Sequence, residues 1–361
     1  MKINWMWIVF VGFLISQVSC SKKISNYPLK SFVWSTVGKK IKTPSAANLL
    51  TLNINQGTPY LSYQTNLDDS AVFMYTPTSG WVTLGILSGA LQPALFVDNG
   101  IPFVACASHL YHGRALVQAF NGKVWVPVGT PGFSFKKIRF PIFSVHDGTH
   151  ILYETLSGKL LVEFYQHYNG YGWTQIGSPG SSATKILPSL SVSMGIPYVA
   201  YASSKFKNSI MIKMFKSHHW ESMGTLEVSN GPVNNLTLSV EHNISYLAYE
   251  NSKNQPSVLF YKENTWSPLT NNLTNNSVRN LCLFINNNTP YIAYTNKNTL
   301  QVREWNKSRW ISIGPSNFSQ TIITIPNKIN KVMSLVIAHH IPYVSYIDKH
   351  HEIITLKLGP K

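Results

Sequence analysis

The residues Gly195-Ile196-Pro197-Tyr198-Val199-Ala200-Tyr201, followed by Trp220-Glu221-Ser222-Met223-Gly224, are the clearest copy of a unit that recurs along the chain. A tryptophan marks each of seven copies, at spacings of 44 to 48 residues: Trp34, Trp81, Trp125, Trp173, Trp220, Trp266 and Trp310. A second segment, which starts with proline and an aromatic residue in its best copies and ends at tyrosine, also occurs seven times. A period of roughly 40 to 50 residues is that of one four-stranded propeller blade, although some helical repeats share it.

The local pattern inside each unit decides between these alternatives. Each unit has four short segments rich in Val, Ile, Leu, Tyr, Phe and Trp, separated by Gly, Asn, Asp or Pro turns. No apolar stretch follows helical spacing. In the first unit, strands are predicted at 49–54, 59–63, 71–75 and 81–84. We therefore predict an all-β fold, a seven-bladed β-propeller of four-stranded antiparallel blades.

The two ends of the chain are predicted to share one blade. Residues 32–38 form an orphan strand, and the last unit supplies only three strands, at 332–337, 341–346 and 352–358. Pairing of the N-terminal strand with the C-terminal blade would close the ring and remove two exposed sheet edges, which otherwise promote aggregation. The propeller is expected to span residues 31–361.

Residues 1–19 have the pattern of an export signal. A short basic start precedes an apolar run over 5–15, which suits a signal-peptide core and is too short for a final membrane anchor. The stretch 14–23 resembles a bacterial lipobox and predicts lipidation of Cys20; an ordinary signal cut just after Cys20 is the alternative. Residues 20–30 then form a tether. We expect a lipoprotein of the outer membrane or cell surface, or a secreted protein if Cys20 is not lipidated.

The other cysteines and the histidines do not predict a metal centre. Cys106 and Cys282 lie in apolar strands of blades two and six, which a ring keeps apart, so we expect two buried thiols and no disulfide. Three pairs of adjacent histidines lie at turns or strand ends without a third ligand at a telling spacing. We predict no metal and no cofactor.

The chain is strongly basic, with 30 Lys and Arg against 14 Asp and Glu and a formal net charge of +16. Such a charge favours anionic partners, for example acidic glycans or the phosphates of anionic lipids and lipopolysaccharide. Nucleic acid is not the expected partner, because 25 of the 30 basic residues are lysine and phosphate recognition favours arginine. The alternative is a bias of composition, since Asn and Ile are also abundant.

One loop face is expected to carry the ligand site. In a propeller, the loops from each outer strand to the next inner strand share a face with the loops between second and third strands. On that face we predict a basic and aromatic rim formed by Tyr111, His112, Arg114, Phe133, Lys136, Lys137, Arg139, Lys205 and Lys207. Its aromatic residues, with Phe135 and Phe206, can stack on a sugar ring or a peptide. The alternative is that they pack the loops against the blade edges.

The repeated tryptophans and tyrosines also have two interpretations. They can form identical sugar pockets between blades, or they can fill the wedge between neighbouring sheets. A sugar pocket also needs a polar Arg or Glu in register, and none recurs, which favours the structural interpretation. Paired carboxylates, Asp-box turns, and Ser-His-Asp or Walker-type spacings are not found, so binding is favoured over catalysis.

The units, which read roughly Gly-x-Pro-Tyr-Val-Ala-Tyr and Trp-x-x-Val-Gly, resemble those of a class of bacterial exported propeller proteins over residues 31–359. The resemblance implies the fold, an exported location and a distant kinship to lectin and sialidase-like propellers, and it supplies no catalytic residue. We expect a monomeric, non-catalytic binding or adhesion module of the cell envelope, which recognises a glycan or an envelope protein. The alternative is a glycoside hydrolase or sialidase-like enzyme acting on acidic glycans.

Overall fold

The alternation of short apolar segments and tight turns produces seven antiparallel β-sheets arranged in a ring. The computed structural model describes residues 32–43, 47–65, 68–144, 149–166, 172–182, 186–225, 227–242, 244–269, 273–297, 299–315, 318–319, 322 and 331–360. Within these ranges, 29 strands form the seven sheets, which confirms the predicted seven-bladed propeller. The same ranges contain no helix long and apolar enough to cross a membrane.

The strands of each blade follow chain order from the centre of the ring to its edge. The chain enters with β1 (Phe32–Thr36) and β2 (Ile41–Lys42). Blade 1 contains β3 (Asn48–Asn55), β4 (Thr58–Gln64), β5 (Ser70–Thr76) and β6 (Gly80–Leu87). Blade 2 contains β7 (Ala90–Asp98), β8 (Ile101–Ser108), β9 (Arg114–Phe120) and β10 (Trp125–Pro127). Blade 3 contains β11 (Ile138–Ser144), β12 (Thr149–Thr155), β13 (Leu160–Gln166) and β14 (Gly172–Gln175).

The second half of the ring repeats this order. Blade 4 contains β15 (Ser189–Ser193), β16 (Ile196–Ser203), β17 (Ser209–Lys216) and β18 (His219–Ser222). Blade 5 contains β19 (Val233–Glu241), β20 (Ile244–Asn251), β21 (Pro256–Lys262) and β22 (Thr265–Pro268). Blade 6 contains β23 (Arg279–Asn286), β24 (Thr289–Asn296), β25 (Thr299–Trp305) and β26 (Trp310–Ser312). Blade 7 contains β27 (Met333–Ala338), β28 (Ile341–Ile347) and β29 (Glu352–Pro360), together with β1 and β2.

The N-terminal strand closes the ring, as predicted. Strand β1 pairs antiparallel with β29, and Trp34 lies opposite Leu358. Just beyond β1, the backbone N–H of Val37 donates to the carbonyl of Thr355 at 2.8 Å. Strand β2 also pairs with β29, with Ile41 opposite Ile353. Because these bonds join residues from opposite ends of the chain, blade 7 forms only when both ends are in place.

The second strand of each blade is buried on both faces. In β16, every residue from Pro197 to Ser203 is buried. Neighbouring blades cover both sides of such a strand, so its sequence is a continuous apolar run and does not alternate. The Tyr-Val-Ala-Tyr segments of the sequence repeat are these middle strands. The inner strands of adjacent blades lie side by side around a central channel.

Five of the repeated tryptophans join their blade to the preceding one by a hydrogen bond, whereas the indole Nε1 of Trp34 is buried without a hydrogen-bond partner among the described residues. The indole Nε1 of Trp81 donates to the carbonyl of Val37 at 2.8 Å, and that of Trp173 donates to Val128 at 3.1 Å. Trp125, Trp220 and Trp266 make the same bond to Leu84, Ile176 and Met223. These bonds support the structural interpretation of the tryptophans, because their polar edge is already occupied by a neighbouring blade.

The glycine of the Trp-x-x-Val-Gly unit makes room for this contact. Gly129 follows the carbonyl that Trp173 binds, and it has a positive φ of 72°. A Cβ atom at this position would lie 2.9 Å from Trp173 Nε1 and 2.9 Å from the ring of Tyr165. Gly224 and Gly314 approach Trp266 and Trp34 in the same way. Glycine is therefore required by both the backbone conformation and the close approach of the indole.

Gly129→Ala is expected to destabilise the ring through this overlap. The matched control is Gly57→Ala, because Gly57 has a similar φ of 78° but nothing within 4 Å of the added Cβ. The control measures the backbone strain alone, which is about 1 kcal/mol. Gly129→Ala should lose roughly 1–3 kcal/mol more in a denaturant titration, since overpacking adds to that strain. Equal losses for the two variants would contradict the role assigned to the glycine.

Candidate functional site

A groove on the predicted loop face brings together residues from three loops. It encloses about 460 Å³ between blades 2 and 3. We call it the basic groove and define it by the residues that line it: His112, Arg114, Phe135, Lys136, Lys137, Thr155, Leu156 and Ser157. Four of these residues belong to the rim predicted from the sequence. The turn formed by Thr155, Leu156 and Ser157 was not predicted as part of the site.

The first wall of the groove follows β8. A 3-10 turn at His109–Tyr111 ends at His112, which adopts a left-handed conformation with φ 58°. Gly113 comes next, also with positive φ, and the aliphatic part of Lys137 passes over it at a distance that leaves little room for a side chain. The backbone N–H of Ile138 donates to the carbonyl of Gly113 at 2.8 Å. Two loops distant in sequence are thereby joined at the groove.

The second wall is the loop before β11, and buried groups hold it in place. The hydroxyl of Ser134 donates to the carbonyl of Lys136 at 2.8 Å and accepts the N–H of Ala115 at 2.9 Å. Phe133 stacks on Trp173, with ring centroids 4.5 Å apart and planes 13° apart. These contacts leave Phe135 86% exposed at the tip of the loop.

Several residues of the predicted rim have structural contacts. Phe133 is packed on Trp173, and Tyr111 lies against Gly132. Both rings therefore hold loops in place, which is the alternative to stacking on a ligand. Arg139 lies outside the groove lining and pairs with Glu154 at 2.7 Å, where the carboxylate is fully buried. Removing the guanidinium would leave that buried charge without its cation.

The cations of the groove lie at the surface. Arg114, Lys136 and Lys137 are exposed, and no acidic residue lines the groove. Lys205 and Lys207 also lie on this face, in the equivalent loop of blade 4, but they do not line the groove. The Lys205 ammonium lies 5.6 Å from the centre of the Phe206 ring. The structure thus brings four predicted residues into one groove and leaves this pair on a neighbouring loop.

The predictions for the N-terminus lie outside the described residues. These are the export signal at 1–19, Cys20 and the tether at 20–30. Cys106 and Cys282 are both free thiols, as predicted; Cys106 is buried as expected, whereas Cys282 is partly exposed and lines the central channel. Burial raises the pKa of Cys106 to about 12 and that of Cys282 to about 11, so neither is a ready nucleophile. No cluster of three or more potential metal ligands occurs in the described parts of the chain.

The central channel is a second concave site. It encloses about 330 Å³ and is lined by the first residues of all seven inner strands. Lys331 is the one charged residue in the described part of this lining. Its side chain is accessible to solvent but surrounded by the channel wall, and this loss of hydration lowers its pKa. No carboxylate occurs among the described residues that line the channel.

Glu250 supports the channel wall from behind. Its Oε1 accepts the side-chain N–H of Asn235 at 3.2 Å and the backbone N–H of Leu281 at 3.1 Å. The residue is only 4% exposed. Burial raises the pKa of its carboxyl, although the two hydrogen bonds and the charge of Arg279 oppose this effect.

Comparisons with known proteins extend only to the fold. No protein-family model matches the chain, and no curated protein matches its sequence. Among solved structures, the chain is similar to the SapL1 lectin in complex with alpha methyl fucoside. The two share 12% identity, the similarity covers 78% of this chain and 99% of that chain, and the TM-score is 0.51. At this identity the likeness establishes a common propeller fold with a lectin.

The raised pKa of Glu250 predicts an unusual pH dependence of stability. Since the folded-state pKa lies above the ordinary value of 4.5, this group's contribution is complete below that pH and is lost as the pH rises through the folded-state pKa. Glu250→Gln keeps the Oε1 acceptor and removes the charge. Its melting temperature, measured from pH 4.5 to neutral, should therefore fall less steeply than that of the wild type.

The matched control for this measurement is Glu227→Gln, because Glu227 is exposed. It removes a carboxylate without changing the interior and should follow the wild-type profile. Superimposable profiles for Glu250→Gln and the wild type would contradict the assignment.

Proposed function

We propose that this protein is a non-catalytic, exported binding module of the cell envelope, and that it binds an acidic glycan in the basic groove. The observation that carries the proposal is the exposed set Arg114, Lys136 and Lys137, in a groove that no acidic residue lines. The propeller fold, which it shares with a fucoside-binding lectin, is compatible with this function.

The groove offers the chemical groups that an acidic sugar needs. Arg114 can hold a carboxylate or sulfate through two parallel hydrogen bonds, and the two lysines add charge without fixed geometry. The exposed ring of Phe135 can cover the apolar face of a sugar ring. The hydroxyl of the exposed Ser157, which also bonds the buried hydroxyl of Thr155 at 3.0 Å, can donate to or accept from a sugar hydroxyl. The loop contacts of Ser134 hold these groups in place before binding, which lowers the entropic cost.

The groove does not favour the alternative of a glycoside hydrolase. Hydrolysis requires two carboxyl groups on either side of the glycosidic bond. The nearest acidic residue in sequence to the groove lining is Glu154, which is fully buried and paired with Arg139. A sugar bound by the cations would therefore meet no pair of carboxyl groups among the described residues of the groove.

Export and anchoring are part of the proposal and rest on the sequence of residues 1–30. Lipidation of Cys20 would attach the tether to a membrane, and the ring would begin at Phe32 in the outer strand of blade 7. Cys20→Ala should move the protein from the membrane fraction to the soluble fraction of cells. A variant that stays with the membrane in the same proportion as the wild type would contradict lipidation.

The binding proposal is tested with the triple variant Arg114→Ser, Lys136→Ser, Lys137→Ser. Arg139 is left intact because it neutralises Glu154. Binding to an array of sulfated, carboxylated and neutral glycans should be specific for acidic sugars. The variant should lose about tenfold or more in affinity, because charge-assisted hydrogen bonds are among the strong ones.

A matched control separates the groove from net charge. The triple variant Lys123→Ser, Lys216→Ser, Lys307→Ser removes the same charge from exposed turns on the opposite face. It should bind acidic glycans like the wild type at physiological salt. Equal losses of affinity in both variants, or binding that disappears entirely at physiological salt, would contradict the proposal. Either result would show that glycans bind through non-specific attraction to the net charge.

A further inference from the structure

Three large apolar side chains project from adjacent loops around the basic groove. Leu110 is 75% exposed, Phe135 is 86% exposed and Leu156 is 62% exposed. They come from the turn after β8, the loop before β11 and the turn after β12, which all lie on one face of the ring. We call them the apolar tips. Leu110 does not line the groove, so a soluble glycan does not account for its exposure.

Cations surround these tips. Arg114, Lys136 and Lys137 lie between them, and the exposed Lys159 follows the third tip on the same turn. In the described residues of these three loops and their flanking strand ends, the one acidic residue is Glu154, whose charge Arg139 neutralises. These three loops therefore combine exposed apolar groups with a positive charge that no exposed acid of the same loops offsets.

We propose that this face docks onto a membrane surface rich in anionic lipid headgroups. The tips enter the boundary between headgroups and acyl chains, and the surrounding cations contact lipid phosphates. Peripheral proteins bind membranes by inserting apolar side chains and by attracting anionic lipids to basic side chains. This proposal goes beyond glycan binding and uses a surface wider than the groove.

The geometry favours a membrane over a protein partner. A protein partner would require a matching pit for each tip, whereas a bilayer accepts several apolar groups that project from one face without such pits. Positive charge around the tips complements a uniformly anionic surface. Other exposed apolar residues, such as Ile101, Val124 and Met194, lie at or beside turns on the opposite face and do not share this arrangement.

Co-sedimentation with vesicles tests the proposal. The protein is prepared without residues 1–20, so that no lipid anchor contributes; every described contact of the ring lies within residues 32–360. It should bind vesicles that contain phosphatidylglycerol and should not bind vesicles of phosphatidylcholine alone. Arg114→Ser, Lys136→Ser, Lys137→Ser should weaken the binding about a hundredfold at low salt, since each cation near the surface contributes about fivefold.

The apolar tips are tested separately from the charge. The triple variant Leu110→Ser, Phe135→Ser, Leu156→Ser should lose about tenfold or more in vesicle affinity. Its control, Ile101→Ser, Val124→Ser, Met194→Ser, removes exposed apolar groups from the opposite face and should bind like the wild type. Loss of binding in both variants alike, or in neither, would overturn insertion of the tips. Failure of the wild type to bind anionic vesicles would overturn membrane docking itself.

A single substitution distinguishes this inference from the proposed function. Leu110→Ser should weaken vesicle binding and leave affinity for a soluble acidic glycan unchanged, because Leu110 lies outside the groove. Vesicle binding without any glycan binding would support the membrane inference and refute the proposed glycan ligand. Glycan binding without vesicle binding would support the proposed glycan ligand and refute the membrane inference.

Discussion

The bond between a tryptophan and the preceding blade is the contact on which the ring depends. It joins an indole N–H to a carbonyl beside a glycine, at five blade boundaries in the described residues. Each such bond contributes only about 1 kcal/mol. Its repetition sets the same spacing between successive outer strands, and at Val37 it joins blade 1 to the strand that closes the ring.

Because the repeat residues hold the blades together, the residues of the loop face are free to vary. The tryptophans, tyrosines and glycines of the repeat are engaged between blades, so function falls to residues that the repeat does not specify. Blades 2 and 3 use that freedom most clearly, because their loops carry Arg114, Lys136 and Lys137 beside the exposed Phe135 and Leu156. Buried contacts of Ser134 and Phe133 keep these residues in place. A rigid ring thus supports one irregular, charged surface.

The repeat was sufficient to predict the fold, because a unit of constant length that recurs with identical tryptophans has few ways to pack. The rim was predicted from the basic residues of the loops, and the structure brings four of them, His112, Arg114, Lys136 and Lys137, into one groove. The repeat did not predict the turn around Leu156, which comes near Lys136 because Ile138 lies opposite Thr155 in the pairing of β11 with β12. Arg139 was assigned to the rim although it lies directly opposite Glu154 in the ladder of β11 and β12. A register shift between Arg139 and Ile142 obscured that pairing in the sequence. Nothing in the sequence showed that Phe133 stacks on a tryptophan of the next blade.

The central claim is that a closed seven-bladed ring presents a binding site for anions between blades 2 and 3. A crystal structure of the protein with a sulfated or carboxylated oligosaccharide tests it most directly. The account predicts an acidic group within hydrogen-bond distance of Arg114 and at least one of Lys136 and Lys137, with a sugar ring against Phe135. An oligosaccharide bound instead in the central channel or between outer strands, with the groove empty, would contradict it.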